Sequence, residues 1–414
     1  LALFISADAF LFSLDSLEVV KKEITKSIDF SSSQRFSLYK SSINLIADNF
    51  IFGVGPGNWR IKIWEYGLYN NTFGNSFAQR PHNDFLWIFS EGGFIAGLSY
   101  ILLFLILLKD SFWLFNNSNN PVFFKLLFCM FIGYGFISMF DFPFERISHL
   151  IIFFVFVSII ISSKIKLNHN DAFKMPTAII FFYSLTTFFI IYIGYVRYNS
   201  EIHSNNAIKL KQKGNWNYVV KAIDKAYSKI FYEIDNTSTP LLWYRGVAYF
   251  STKNYEFALR DFKNAYNVNP NHIHVLNNLA TTYQLIGNTM SAKLYYDKAI
   301  NVNPSFKEAR VNLSAILYNE KKYDEALSTI LNSKVELYWK RQKSNDNYDL
   351  YLKTIFNAYI NNIKNDLSNS EYNKLEDISN DFTKQPARAA REIKKAFLES
   401  QKLNLEFIKF LVSN

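Results

Sequence analysis

The residues best suited to chemistry lie in one short segment, residues 80–84 (RPHND), directly before a long apolar run. The segment places Arg80 and the titratable imidazole of His82 at the mouth of a predicted membrane helix. Such groups at this border reach both water and a lipid headgroup, where catalysis on a lipid-linked substrate needs them. The alternative is that His82 is an interfacial residue that only caps the helix beside Pro81.

Four apolar runs come close to the roughly 20 residues that a helix needs to cross a bilayer. A fifth, at residues 1–14, predicts the end of an earlier span. The start at Leu1, without a charged segment before it, predicts a fragment that lacks its upstream membrane part. The four complete runs are residues 85–108, 122–140, 147–161 and 177–196.

The loops between these runs predict an orientation. Lysines flank the loop after the first run and occupy the loop after the third, whereas the loop at 141–146 is acidic on balance. The positive-inside rule places the lysine loops in the cytoplasm. His82 and everything after residue 196 then lie outside, so the sequence predicts a multi-pass membrane protein whose C-terminal half is outside the cytoplasm, which is the periplasm in a diderm bacterium.

The C-terminal half contains a 34-residue repeat. Residues 239–272 and 273–306 carry the same pattern of large and small residues at one fixed offset, and a weaker copy follows from residue 307. A degenerate copy precedes them. The pattern is that of tetratricopeptide repeats, which stack helix pairs into a solenoid whose concave surface binds peptide or protein. The matched positions are Leu242, Gly246, Tyr249, Ala258, Phe262, Ala265 and Pro270, then Leu276, Ala280, Tyr283, Ala292, Tyr296, Ala299 and Pro304.

The predicted fold is therefore all-α, a polytopic transmembrane helix bundle followed by a tetratricopeptide-repeat α-solenoid. Its expected divisions are a truncated span at residues 1–14, a partly helical periplasmic loop at 15–84 and four transmembrane helices at 85–196. The repeats follow at residues 197–334 and a C-terminal helical extension at 335–414.

Composition removes several classes of function. The net charge of +10 comes without a compact basic run beside a nucleic-acid motif, so we expect no nucleic-acid partner and assign the excess to membrane topology and lipid headgroups. The single Cys129 allows neither a disulfide framework nor a zinc spacing. No dense cluster of carboxylates offers a ligand set, so we expect neither a metal nor a cofactor.

Two segments resemble a known family. Residues 48–59 (DNFIFGVGPGNW) and 80–98 (RPHNDFLWIFSEGGFIAGL), with Arg35 on a predicted helix before them, are similar to the C-terminal module of the O-antigen ligase and O-antigen polymerase superfamily. That superfamily includes the protein O-oligosaccharyltransferases. The resemblance covers about residues 35–155. The family motif is His-[Asn/Ser/Gln]-x9-Gly-x2-[Gly/Thr/Tyr]. His82, Asn83 and Gly93 match it, but the last position is Ala96, and Gly97 comes one residue late.

The resemblance implies an inner-membrane glycosyltransferase that moves a glycan from an undecaprenyl-diphosphate carrier to an acceptor hydroxyl. Arg35 maps onto the family's loop arginine and His82 onto its histidine. Arginine suits the diphosphate leaving group because it binds phosphate through two parallel N–H donors. Histidine suits the base that takes the acceptor's proton. The remaining candidate substrate-binding residues are Arg80, Arg60, Asn83 and Glu91.

Each assignment has an alternative. His149 is a rival base near the same membrane face, and Arg80 is equally suited to holding headgroup phosphates. Glu91 is either a partner for an arginine or faces an upstream helix. Asn83, with Asp84, is also suited to capping the helix that begins there. For the whole chain, the alternative to an enzyme is a non-catalytic membrane-anchored scaffold for envelope assembly, in which the repeats carry the function.

Overall fold

A computed structural model describes most of the chain, and those residues are almost entirely helical, with isolated bridges but no strand among them. The predicted all-α fold is confirmed. The predicted span end at residues 1–14 lies outside the described part. Two compact units divide at residues 175 and 176. The described residues are 35–67, 78–168, 176–332, 347–384, 386–400, 402–403 and 405–413.

The first unit contains two short helices before its apolar ones. Helix α1 covers residues 35–48, and α2 (Trp59–Lys62) continues into a 3-10 turn, Ile63–Tyr66. A second 3-10 turn, Pro143–Glu145, links α4 to α5. The apolar helices are α3 (Asp84–Asn117), α4 (Pro121–Ser138) and α5 (Ile147–Asn168).

Four helices are long and apolar enough to cross a membrane, as the sequence predicts: α3, α4, α5 and α6 (Thr177–Gln212). In the apolar 18-residue stretch of each helix, the fraction of residues that is buried inside the protein is 28% in α3 and 0% in α6. These helices therefore turn most of their apolar side chains outward, which is the surface that a bilayer requires. Helix α6 has 36 residues, more than a bilayer needs, and the predicted division after residue 196 falls inside it.

Aromatic packing and one ion pair hold α3 against its neighbours. The ring of Phe104 on α3 packs near Tyr134 of α4, with ring centroids 6.1 Å apart, and near Phe153 of α5. At the other end of α3, Asp110 accepts a 2.5 Å hydrogen bond from Lys164 of α5. The Asp110 side chain is largely buried and Lys164 is partly exposed, so the lysine compensates a carboxylate that has little access to water.

The second unit contains the apolar helix α6 and continues as a helical repeat. The C-terminal part of α6 pairs with α7 (Trp216–Ala226). The repeat pairs are α8 (Leu241–Ser251) with α9 (Tyr255–Val268), α10 (Ile273–Leu285) with α11 (Thr289–Val302), and α12 (Lys307–Asn319) with α13 (Tyr323–Leu331). The later helices are α14 (Asn347–Asn362), α15 (Asn369–Lys384), α16 (Pro386–Ser400) and α17 (Leu405–Ser413), with a 3-10 turn at Lys364–Asp366.

The repeat positions form the core of this unit. Phe262 and the equivalent Tyr296 are fully buried, and so are the alanines on either side of each. A β-carbon at Gly246 would lie 2.7 Å from the Phe262 ring. The small residue therefore lets α8 approach the large side chain of α9, which is the physical reason for the repeat's size pattern.

Candidate active site

His82 stands in an unusual backbone conformation at the entrance of α3. Its φ is 54°, a left-handed value that is uncommon for any residue other than glycine. Its carbonyl oxygen accepts a 2.9 Å hydrogen bond from the Tyr39 hydroxyl. Its ring packs edge-on against Phe142, with centroids 5.1 Å apart. A strained residue persists when the surrounding structure holds it, and such residues cluster at functional sites.

Asn83 and Asp84 attach the His82 turn to the loop after α4. The Asn83 side chain caps α3 by accepting from the Leu86 amide at 2.9 Å, and it donates to the Met139 carbonyl at 2.9 Å. The buried carboxylate of Asp84 accepts from the Phe144 amide at 3.0 Å. Asn83 is therefore the helix cap that its position suggests, and both side chains also fix where the loop lies.

Arg35 approaches the same loop from α1. Its guanidinium donates a long, 3.5 Å hydrogen bond to the Phe140 carbonyl, and no ion pair found among the described residues includes it. The helix that carries it is anchored by buried Leu45 and by a 3.0 Å hydrogen bond from the Trp59 indole to Ser42. An exposed guanidinium without a carboxylate partner on an anchored helix is suited to receive an anionic ligand.

The local field favours a neutral imidazole. Burial lowers the pKa of His82, the positive charges of Arg35 and Arg80 lower it further, and Asp141 opposes them. A neutral imidazole can accept a proton, and the same cations can attract phosphate. The imidazole of His82 and the positive charges of Arg35 and Arg80 therefore act on one another at this place in the structure.

Arg80 is engaged differently from Arg35. It forms an ion pair with Glu145 through two of its nitrogens, and its guanidinium lies 4.7 Å from the centroid of the Phe142 ring. Its charge is already balanced by a carboxylate. Of the two arginines whose charge reaches His82, only Arg35 presents a guanidinium without such a partner among the described residues.

Glu91 and the glycine turn at residues 51–57 form a separate structural unit around a break in α3. The helix is interrupted at Gly93, whose φ is 67° and ψ is −166°. The amides of Val54 and Gly55 donate to the carbonyls of residues 90 and 91, each at 2.9 Å. The Glu91 carboxylate accepts from the Trp59 amide at 3.2 Å. The amides of Val54 and Gly55 therefore hold the glycine turn against the broken helix.

Arg60 and His149 lie on other elements. Arg60 is on α2, next to Trp59, whose amide donates to Glu91. The Arg60 carbonyl accepts a 3.1 Å hydrogen bond from the Trp64 indole. His149 lies in the first turn of α5, is exposed, and has the Ser148 hydroxyl 3.4 Å from its Nδ1. The hydrogen bonds around His82 include neither of these two residues.

Sequence reasoning missed Tyr39 and the backbone of the loop after α4. Tyr39 follows Arg35 by four residues on a predicted helix, and this spacing places two side chains on one helix face. The signal was therefore present. The carbonyls of Met139 and Phe140 gave none, because backbone groups are the same in every sequence. Within the described part of the chain, no three His, Cys, Asp or Glu residues could hold a metal ion together.

Comparison with known proteins gives a family match in each half of the chain. Residues 1–101 match the family described as O-antigen ligase, and residues 273–306 match the tetratricopeptide repeat. The first match includes α1, the glycine turn and the His82 turn. Both matches agree with the resemblance to the O-antigen ligase superfamily and with the tetratricopeptide pattern that the sequence predicts. No curated protein matches it.

Two solved structures are similar in part. One is a point mutant of MamA and the other is titled "MamA MSR-1 C2", and both are 17% identical to this chain. The mutant covers 46% of this chain and 97% of its own, with a TM-score of 0.31. The second structure covers 45% and 97%, with a TM-score of 0.32. Such low scores support no statement about the function of this chain.

Proposed function

We propose that this protein is an inner-membrane glycosyltransferase that moves a glycan from an undecaprenyl-diphosphate carrier to an acceptor hydroxyl. The observation that carries the proposal is that Arg35 reaches the Phe140 carbonyl and the His82 ring packs against Phe142, so both lie at one loop beside the entrance of an apolar helix. Both residues are inside the segment that matches the O-antigen ligase family. The Arg35 guanidinium, which has no carboxylate partner among the described residues, binds the diphosphate. The His82 imidazole, whose pKa is lowered, accepts the proton of the acceptor hydroxyl.

The proposed step exchanges one bond for another. The acceptor oxygen forms a bond to the anomeric carbon of the glycan, and the bond from that carbon to the carrier diphosphate breaks. The electron pair leaves on a phosphate oxygen, where Arg35 stabilises the added negative charge. The proton of the acceptor hydroxyl moves to the neutral imidazole of His82. The products are the glycosylated acceptor and the free carrier diphosphate.

A reconstituted reaction tests the proposal. The full chain in lipid vesicles, supplied with an undecaprenyl-diphosphate-linked glycan and cell-envelope acceptors, is expected to release the carrier diphosphate. Arg35→Ala is expected to lower this rate about 100-fold or more, since one donor to a developing charge contributes that much. Arg35→Lys is expected to retain part of the wild-type rate, because lysine keeps the positive charge but lacks the two parallel N–H donors of a guanidinium.

The control is Arg388→Ala, which removes an exposed arginine that pairs with Glu392 in the solenoid. It is expected to leave the rate unchanged. Equal carrier release by wild type and Arg35→Ala would contradict the assigned role, and no release by wild type with any donor offered would contradict the function.

The repeats are proposed to recruit a protein acceptor or an assembly partner on the periplasmic side. An impermeant thiol reagent tests this orientation in intact spheroplasts. The exposed Cys129 is first replaced by serine, and single cysteines are then introduced at Asn254 and at Asn116, which are both exposed. Asn254→Cys is expected to react at once, and Asn116→Cys only after permeabilisation. The opposite pattern would reverse the proposed topology.

A further inference from the structure

We infer that Tyr39 is a positioning residue, whose hydroxyl attaches α1 to the His82 turn and thereby sets the place of Arg35 relative to the imidazole. The inference deepens the proposed function and rests on it for the roles of Arg35 and His82. Tyr39 itself is not placed in contact with the reacting atoms, since its hydroxyl faces backbone carbonyls.

Three segments of the chain meet at one carbonyl oxygen, that of Met139. The Tyr39 hydroxyl lies 3.2 Å from it and 2.9 Å from the carbonyl of His82. Asn83 donates to the same Met139 oxygen at 2.9 Å. We call these four residues the Met139 junction. It joins α1, the His82 turn and the end of α4 through groups whose geometry is fixed by the backbone.

The position of Tyr39 on its helix links this junction to Arg35. The two residues are four apart on α1, so their side chains leave the same face one turn from each other. Arg35 reaches the carbonyl of Phe140, the residue next to Met139, but at 3.5 Å. A hydrogen bond of that length holds weakly. The shorter bonds of Tyr39 are therefore the better restraint on where this end of α1 lies.

The middle of α1 has its own anchors. Ser41 donates to the Tyr66 carbonyl at 3.0 Å, and Ser42 accepts from the Trp59 indole at 3.0 Å. Both contacts stay within residues 35–67, so they hold α1 to its own segment. Two side chains of α1, Tyr39 and Arg35, make hydrogen bonds to the His82 turn and the loop after α4. Tyr39 thus helps to set how the two halves of the site face each other.

The Tyr39 hydroxyl keeps its proton under ordinary conditions. Burial raises the pKa of Tyr39, and the positive charge of Arg35 opposes this in part. A phenol with a raised pKa remains a donor at neutral pH, which a contact with two carbonyl acceptors requires. Phenylalanine at this position would keep the ring and remove only the donor, so Tyr39→Phe isolates the contact.

The test compares Tyr39→Phe with a matched control, Tyr66→Phe, in the full chain. The Tyr66 hydroxyl interacts with Asn49 and Asp48, within residues 35–67, so its loss removes a phenol donor without touching the His82 turn. We expect Tyr39→Phe to lower kcat about tenfold or more, because a small misplacement of reacting groups has effects of this size. The KM for the donor is expected to change less than twofold, and Tyr66→Phe to resemble wild type.

A second readout does not need the enzymatic activity. Diethyl pyrocarbonate modifies neutral imidazole, and peptide mass spectrometry can follow its reaction with His82 as a function of pH. In Tyr39→Phe the imidazole becomes more hydrated and Arg35 is free to move away. Both changes raise the pKa of His82, so the midpoint of modification is expected to move to higher pH. Tyr66→Phe is expected to keep the wild-type midpoint.

The two readouts separate this inference from the proposed function. A shifted midpoint together with a lower kcat supports the positioning role. A shifted midpoint in a protein whose wild type transfers no glycan supports the attachment of α1 but contradicts the function. An unchanged midpoint in Tyr39→Phe, with kcat within twofold of wild type, overturns the inference even if the enzyme is active.

Discussion

Replacing His82 with alanine is expected to lower glycan transfer by about 100- to 10,000-fold, the contribution of a well-placed general base. The amount of folded protein is expected to change little, because the contacts of the His82 carbonyl and of its neighbour Asn83 do not need the imidazole. The measurement is the rate of carrier release by the reconstituted full chain. Alanine also relieves no backbone strain, since it too has a β-carbon at this positive φ.

The pH dependence of wild type follows from the same residue. A base must be neutral, so activity falls as the pH drops through the pKa of His82. Burial and the charges of Arg35 and Arg80 lower that pKa below its ordinary value of about 6.5. Transfer is therefore expected to persist below pH 6.5 and to decline only at more acidic pH. The matched control is His149→Ala, which removes the rival imidazole and is expected to keep both the rate and the pH profile.

The assignment of the base fails if these two variants exchange behaviour. Near-normal transfer by His82→Ala, together with a large loss in His149→Ala, would place the base on α5. Near-normal transfer by both variants would mean that neither imidazole acts as the base.

Replacing Gly93 with alanine is expected to destabilise the first unit by about 3 kcal/mol, since backbone conformations that only glycine tolerates cost other residues energies of that order. Its φ of 67° combines with a ψ of −166°. A β-carbon there would lie 2.2 Å from the Ile51 carbonyl oxygen, so the glycine turn would have to leave α3. The turn holds Glu91 to α2, and we expect a lower unfolding temperature and reduced transfer.

Gly133→Ala is the matched control for this change. Gly133 lies within α4, and a β-carbon there would meet nothing within 4 Å. Alanine is the better helix former, so Gly133→Ala is expected to keep or slightly raise the unfolding temperature. Equal thermal stability of the two variants in the same detergent would show that the contact between the glycine turn and α3 contributes little.

The extent to which the sequence predicted this fold depends on how local each signal is. The four apolar helices follow from the length of the apolar runs, and the solenoid follows from a spacing of 34 residues, so local sequence patterns predict both. Hydropathy does not predict the end of α6, because it falls near residue 197 while the helix continues to Gln212. Nothing between those residues is proline or glycine, and loss of apolar character ends a membrane span without ending a helix.

The residue types of the candidate site carry a signal in the sequence, whereas its geometry does not. The residue types of Arg35 and His82 indicated a phosphate ligand and a base. The close approach of Gly53 to Gly93, where a β-carbon on Gly53 would lie 2.6 Å from the Gly93 nitrogen, joins residues 40 positions apart. Glycines in a sequence show where such an approach is possible but not which partner they meet. The Met139 junction depends on carbonyl groups, which carry no sequence signal at all.

Complementation in cells tests whether Arg35 and His82 together transfer a glycan at the membrane. A strain without the gene is complemented with wild type, Arg35→Ala or His82→Ala at equal protein levels. Its surface polysaccharide, lipid-linked polysaccharide and glycoprotein are then compared. Wild type is expected to restore one of these products, and neither variant is expected to restore it. Full restoration by both variants would contradict the enzyme and favour a scaffold whose repeats carry the function.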